Sequence, residues 1–310
     1  MINNKEKKFI SAVVYIHDNE TIIEKFLMTI NRVLNDYFEK YEIICVNDCS
    51  SDNSVAKIEQ VAKSFDDMVC TIVNMSYYQG SEVSMNAGID LAIGDFVFEF
   101  DHVFVDYDES LIIETYNHLL EGYDIVSTSN RKEKKSSKLF YKLYNMSSHS
   151  QYKLCTETFR ILSRRAINRV HSMSKSIPYR KALYANCGLK MDVLYYTSTT
   201  DVQKQVSKEL SRNRKDVAST SLILFTNIAY QFAMFMAILM MIATLLGVIY
   251  TIVVYFLGKP VEGYTTMMLV MSASFFGVFT LLAIIIKYCA LMIELIFKTQ
   301  RYTVESINKL

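Results

Sequence analysis

From Val217 to Gly258 the chain carries no charged residue, and from Gly263 to Ile286 it carries none again. A helix needs about 20 predominantly apolar residues to cross a bilayer, so the first stretch is too long for one simple span. Its opening part contains Ser219, Thr220, Ser221, Thr226, Asn227 and Gln231. That polarity suits an interface, and a span is expected from Phe232 to Phe256. Lys259-Pro260-Val261-Glu262-Gly263 reads as a short turn, and the second apolar run continues past Lys287 to about Phe297. Two spans joined by a tight turn make a hairpin. A pair of buried core helices is the alternative, but the lengths match a bilayer. Basic residues near the ends give the orientation. Arg212, Arg214 and Lys215 precede the first span, and Lys298, Arg301 and Lys309 follow the second, whereas Lys259 in the turn is offset by Glu262. Both ends are expected in the cytoplasm. The expected organisation is a domain over 1–208, interfacial helices over 209–231, a transmembrane hairpin over 232–297 and a cytoplasmic tail over 298–310.

The rest of the composition narrows the class. A chain of 310 residues accommodates one α/β domain and an accessory region. The 33 basic and 32 acidic residues nearly cancel, so no global charge points to nucleic acid. The six cysteines show no CxxC or metal-ligand spacing and read as reduced thiols of a cytosolic setting. The polar start, Met1 to Lys8, lacks the apolar core of a signal peptide.

Before the apolar runs, strand and helix patterns alternate. Phe9–Ile16 is a β-rich apolar run, and Ile22, Ile23, Phe26, Leu27, Ile30, Val33 and Leu34 then recur at helical spacing. Glu42–Val46 reads as a strand; Val55, Ile58, Ala62 and Phe65 form a helical face; Val69–Asn74 is a strand; Val83–Ile93 a helix; Phe96–Phe100 a strand. Apolar strands alternating with helices predict a mostly parallel sheet covered on both faces. In such folds ligands sit at the carboxyl ends of the strands. Asp101 stands at one such end, followed by Asp106, Asp108 and Glu109. The loop Asn47 to Ser54 follows another strand and offers carboxylates and hydroxyls at a helix start. It suits a nucleotide, although turn and capping chemistry explains the same residues. Neither GxGxxG nor GxxxxGK[ST] occurs, so a dinucleotide fold and a P-loop are unsupported.

Several motifs, in order, resemble one family. Val46-Asn47-Asp48-Cys49-Ser50-Ser51-Asp52-Asn53-Ser54 stands where that family has V-D-D-G-S-T-D-G-T. Gly80-Ser81-Glu82 through Asn86-Ala87-Gly88, then Ile93-Gly94-Asp95, match its G-K-E-A-A-L-x-A-G-L…A-R-G-D stretch. Phe159-Arg160-Ile161-Leu162-Ser163-Arg164 matches F-R-L-L-S-R; Val261-Glu262-Gly263-Tyr264-Thr265 resembles V-P-G-W-T-S; Glu294…Lys298…Arg301-Tyr302 resembles a terminal E-x-x-x-K-x-R-P-x-Y. The chain thus resembles glycosyltransferase family 2, and more narrowly the polyprenyl-phosphate glycosyltransferases related to dolichol-phosphate mannose synthase.

The resemblance implies a GT-A fold, Rossmann-like with a mostly parallel sheet. It implies an inverting transfer of a sugar from a UDP- or GDP-type nucleotide-sugar to a polyprenyl phosphate, for cell-surface glycan synthesis at the inner membrane face. Mg2+ or Mn2+ would neutralise the departing diphosphate, and a homo-oligomer is expected. Nucleotide-sugar binding falls to Glu20, Asp48, Asp52, Gly80, Glu82 and Asp101, with Asp48 toward the base. The basic loop Arg131-Lys132-Glu133-Lys134-Lys135 with Lys138 lies where the family places arginines near phosphates; a solvated surface loop is the alternative. Arg131, Lys135, Arg160 and Arg180 fall on the acceptor-phosphate side. Asp101, Arg160 and Arg131 are the catalytic candidates, with a structural ion pair as the other reading of Arg160.

The metal loop departs from the pattern. Against D-A-D-L-Q-D-P-P-E the chain reads Asp101-His102-Val103-Phe104-Val105-Asp106-Tyr107-Asp108-Glu109. Val103 replaces the second acid and Val105 the glutamine, and valine has no lone pair to donate. Asp101 alone, or Asp101 with Asp106 turned inward, is left to hold the ion; His102 could substitute for a manganese-type ion, although its adjacency to Asp101 in a strand-like geometry points it to the opposite face. The alternative function is a catalytically degenerate member acting as a scaffold or partner subunit.

Overall fold

The computed structural model describes residues 5–65, 68–131, 135–147, 152–173, 179–198 and 302–310, with scattered helical positions between 235 and 292. The chain divides into two units, Met1–Ser221 with Gln300–Leu310, and Leu222–Thr299. In the first, β1 (Glu6–Ile16), α1 (Ile23–Tyr37), β2 (Phe38–Asn47), α2 (Ser54–Lys63), β3 (Cys70–Met75), α3 (Ser81–Leu91), β4 (Phe96–Phe100) and α4 (Ser110–Leu120) alternate. Then come β5 (Ile125–Asn130), α5 (Lys135–Ser147), β6 (Phe159–Ser163), α6 (Arg164–Met173), α7 (Arg180–Asn186), β7 (Met191–Tyr196) and β8 (Val304–Lys309). They build one sheet of order β7-β5-β6-β4-β1-β2-β3-β8. β6 is antiparallel to both β4 and β5, and β8 is antiparallel to β3; the other pairings are parallel. The mostly parallel α/β architecture expected from the sequence is therefore observed.

The two faces of the sheet differ in chemistry. Ile10, Ala12, Val14 and Ile16 of β1, Ile43 and Cys45 of β2, and Phe98 and Phe100 of β4 belong to one apolar cluster. Ile23, Phe26, Leu27, Ile30, Val33 and Leu34 of α1 complete it, which is the spacing of the sequence pattern. Burying each such side chain stabilises the fold by roughly 1.5–3 kcal/mol. Alternate residues point to the other face. There Gly88 of α3 lies so close to the sheet that a Cβ would collide with Val13 and come within 2.6 Å of Val46 Cγ2. That face also takes polar residues into the interior. Ser11 Oγ donates to Glu42 Oε1 at 2.6 Å, while Glu42 Oε1 accepts from Ile93 N and Ser11 Oγ from Gly94 N, fixing the turn before β4.

The chain end differs from the sequence reading. Residues 304–309, expected within a tail, pair with β3 in the register Thr71↔Lys309, Ile72↔Asn308 and Val73↔Ile307. An edge strand presents unpaired N–H and C=O groups, and β8 satisfies those of β3. Among the described residues no helix is long and apolar enough to cross a membrane. The expected interfacial helices and hairpin, 209–297, lie outside the described residues apart from those scattered positions.

His118 on α4 joins that helix to β7. Its Nε2 lies 2.8 Å from Asp192 Oδ2 and its Nδ1 2.8 Å from Glu121 Oε2. The hydrogen bond to Asp192 raises its pKa above the ordinary value, against the effect of burial. A raised folded-state pKa gives stability that is complete below the unfolded value, about 6.5, and is lost as pH rises through the folded value. His118→Asn should therefore lower the melting temperature at about pH 6 and have less effect at about pH 9, as read by thermal unfolding of both proteins at each pH.

Candidate functional site

The strand order reverses between β1 and β4: β2 and β3 follow on one side of β1, and β4 begins the other. A crevice opens at such a switch point, outside the carboxyl ends of the strands. Here those ends are Ile16 and Phe100, so the residues after them, His17 to Glu20 and Asp101 to Val103, flank the crevice. β6 enters from the same end, since Phe159 pairs with Phe100.

The loops after β1 and β2 are sewn together by side-chain-to-backbone bonds. Asp18 sits at φ 49 and its Oδ1 accepts from Ser51 N at 2.7 Å. Asp52 Oδ2 accepts from Glu20 N at 2.9 Å and its Oδ1 from Ser54 N at 2.9 Å. Glu20 in return accepts from the backbone and side chain of Asn53. Burial pushes the Asp52 carboxyl up, but the Ser54 hydroxyl and these N–H donors outweigh it and lower its pKa. Cys49 adopts φ 55, a region that L side chains occupy at a cost of roughly 1–2 kcal/mol. It stands where the family motif has glycine.

Asp48 is fully buried and fully bonded. Its Oδ2 accepts from Tyr15 OH and Gly80 N, and its Oδ1 from Gln79 N, all at 2.8 Å. Gly80 precedes α3 at φ 83, where a side chain would be strained. Asp48 thus fixes the turn that starts α3.

The end of β4 holds a buried charge cluster. Glu99 Oε2 accepts from Arg160 Nη1 at 2.5 Å and Arg180 Nη1 at 2.9 Å, while Glu99 Oε1 accepts from Tyr184 OH at 2.5 Å. Asp101 Oδ2 accepts from Arg160 Nη2 at 2.6 Å and Asp101 Oδ1 from Arg180 Nη2 at 2.5 Å. The Nε groups are also paired, Arg160 with Glu157 Oε2 at 2.8 Å and Arg180 with Glu82 Oε2 at 3.2 Å. Arg160 and Arg180 are 1% and 0% exposed, and Lys181 beside them is buried too. Burial acts to raise the Asp101 carboxyl, yet Arg160 and Arg180 together hold it well below the usual carboxylate range. Their own pKa values are raised, since Asp101 and the neighbouring glutamates outweigh burial. Arg160 makes the ion pairs that one of its two readings expects.

These residues do not fit a divalent ion. Both oxygens of Asp101 face guanidinium groups, and a dication about 4 Å from each would be repelled by roughly 8 kcal/mol per guanidinium at an effective dielectric of 20. Val103 is buried in the apolar cluster with Phe100, Tyr107 and Leu111, so the position of the second acid faces the core. Asp106, the other expected ligand, is buried and accepts from Tyr196 OH at 2.8 Å and Asn130 Nδ2 at 3.3 Å. Among the described residues no group of three or more His, Cys, Asp or Glu side chains is placed to hold a metal.

The remaining candidates separate. Glu82 joins the cluster through Arg180, whereas Glu20, Asp52, Asp48 and Gly80 belong to the loop network. Arg131 is exposed directly after β5, where its N–H donates to Tyr196 O. Residues 132–134 lie outside the described residues, and Lys135 opens α5. Glu99, Glu157, Tyr184, Gln79 and Tyr15 were not foreseen. For Glu99 a signal existed: a carboxylate inside the apolar run Phe96-Val97-Phe98-Glu99-Phe100 requires a buried partner.

A sheet with this switch point and strand-end loops defines a Rossmann-like α/β domain. Solved structures agree on the fold. A Mannosyltransferase from Pyrobaculum calidifontis in complex with GDP-Man and Mn2+ superposes with a TM-score of 0.51 at 16% identity, covering 67% of this chain and 61% of its own. Glucosyl-3-phosphoglycerate synthase from Mycobacterium tuberculosis, in complex with Mn2+, UDP and glucosyl-3-phosphoglycerate, gives 0.52 at 14% identity, covering 69% and 79%. The chain matches the family described as glycosyl transferase family 2 over residues 11–186, and it belongs to that family. An uncharacterized glycosyltransferase of Synechocystis sp. is 29% identical over 203 residues; the match spans 63% of this chain and 63% of that relative, less than two thirds of its length. The bactoprenol glucosyl transferase of Shigella phage SfV is 27% identical over 280 residues, 86% of this chain and 88% of its own.

Two outcomes follow from the geometry. Glu99→Gln leaves two buried guanidinium groups short of a counter-charge and should cost about 3–5 kcal/mol in chemical denaturation, whereas the exposed Glu39→Gln should change stability by less than about 0.5 kcal/mol. Cys49→Gly relieves the left-handed backbone and should raise stability by about 1 kcal/mol in the same measurement.

Proposed function

We propose that this chain is an inverting glycosyltransferase that moves a hexose from a UDP- or GDP-type nucleotide-sugar to a polyprenyl phosphate at the cytoplasmic face of a membrane. One observation carries the reading: the likeness to the phage bactoprenol glucosyl transferase runs over most of both chains, well beyond the family domain that ends at residue 186. The crevice between β1 and β4 supports the donor part. Its loops are held by Asp18, Glu20, Asp48 and Asp52, so their backbone is preorganised before a nucleotide arrives.

The chemistry asks little of the protein as a base. The attacking oxygen of a lipid phosphate is already ionised, so no group need remove its proton. The work is to align two anionic substrates and to offset charge on the departing diphosphate. Among the described residues of this basic segment, Arg131 and Lys138 are exposed and can meet phosphates from solvent. The Glu99–Arg160–Arg180–Asp101 cluster ties β4, β6 and α7 together.

The membrane part of the reading rests on the uncharged runs Val217 to Gly258 and Gly263 to Ile286. The described helical positions within them expose Phe235, Leu239, Ile242, Leu246, Met267, Met271, Val278, Leu282 and Ile285. Large exposed apolar patches in water are rare, and a bilayer covers them. The basic residues flanking the runs support the cytoplasmic orientation. A divalent ion is left out of this reading because Asp101, Val103 and Asp106 do not form its ligand set.

A second reading, a family member that binds without catalysing, is favoured by the loss of the second acid to the core. The full chain in detergent, given radiolabelled UDP- and GDP-hexoses and a polyprenyl phosphate, decides. A labelled lipid product from one donor is expected. Nucleotide binding without product supports the second reading, and neither binding nor product sinks both.

A further inference from the structure

We propose that Asp101 is the counter-ion of a buried arginine pair rather than a metal ligand, and that this chain engages its phosphate-bearing donor without a divalent cation. The transferase reading enters only in naming the donor. Asp101 is the retained first acid of a loop that elsewhere in the family carries two acids and a glutamine, so its use here is a property of this chain.

The geometry is specific. Arg160 comes from β6 and Arg180 from α7, yet the two guanidinium groups end on opposite oxygens of one carboxylate at 2.6 and 2.5 Å. Their inner nitrogens share a single oxygen of Glu99. Each arginine is thereby clamped between an inner and an outer carboxylate, a fork geometry that suits guanidinium and cannot be relinquished cheaply in a buried site. The charges nearly balance without an ion: Glu82, Glu99, Asp101 and Glu157 face Arg160, Arg180 and Lys181. For Asp101 to coordinate a metal, the ion would have to take the second lone pair of an oxygen already bonded to a guanidinium, with its charge beside both arginines. Val103, the position of the second acid, is in the core, and Asp106 is bonded to Tyr196 and Asn130. Glu99 is 0% exposed behind the arginines.

The full chain in detergent tests this in three measurements. Titration of the EDTA-stripped protein with Mn2+ alone, followed by electron paramagnetic resonance, should show no site of about micromolar affinity or tighter. A saturable site of that strength, lost in Asp101→Asn, overturns the proposal, and its detection in the native protein needs no variant to fold. Thermal unfolding in EDTA should show Asp101→Asn clearly less stable than the native chain, because two buried cations lose their outer partner; an unchanged melting temperature overturns the counter-ion role. Binding of UDP and GDP should differ less than about twofold between EDTA and Mn2+, and a tightening of about tenfold or more by Mn2+ overturns metal independence. If neither nucleotide binds in either condition, the transferase reading and donor engagement without metal both fall, and the first two measurements still decide what Asp101 does.

Discussion

Two guanidinium groups inside the protein, each bonded to three carboxylates, set the terms for this end of the sheet. Moving one such ion out of water costs several kcal/mol even after relaxation, and only close, well-aligned partners compensate. Glu99 supplies them from within β4, Asp101 from its end, Glu157 from the approach to β6 and Glu82 from α3. Apart from the local Arg160–Glu157 pair, every nitrogen-bearing corner of Arg160 and Arg180 ties one element to another. The apolar face, with α1, α2 and α4, supplies the bulk of the stabilisation, while the charged face fixes where the strand ends lie. The first can tolerate conservative exchange of one hydrocarbon for another. The second cannot lose a partner without leaving a charge unmatched.

The loops after β1 and β2 follow the same logic with weaker bonds. Asp48, Asp52, Glu20 and Asp18 all bind backbone N–H groups of neighbouring loops. Their bonds show these acids shaping the loops at the strand ends. At Cys49 a motif glycine was replaced while the backbone kept the conformation that only glycine adopts freely.

The first half of the fold was legible because buried parallel strands and amphipathic helices leave strong periodic signals. Every buried apolar position of α1 sat at the spacing that located it. The second half was opaque for physical reasons. β5 reads Ile-Val-Ser-Thr-Ser-Asn, and its polar residues are buried through strand pairing and packing rather than apolar pattern. β8 reads Val-Glu-Ser-Ile-Asn-Lys and looked like a tail, since an edge strand with one neighbour needs little hydrophobicity. Asp101, Arg160 and Arg180 were each named from the sequence, but their pairing was not. Residues 59 and 79 positions apart carry no local sign that they meet. Glu99 hid inside an apolar run because a single charge is read as an interruption until its partners are found.

The return of the chain to β3 has a consequence for synthesis. Seven strands of the sheet come from residues 6–196, yet β8 comes from residues 304–309, made only after both apolar runs have been synthesised. Until then the outer edge of β3 is an open template, the kind of surface that recruits stray strands during folding. Closing this edge therefore waits for residues that follow both apolar runs, and a product cut short before residue 304 carries an unsealed edge. Gln79 links that late step to the loop after β2, since its backbone N–H reaches Asp48 while its side chain bonds both the N–H and the carbonyl of Thr303.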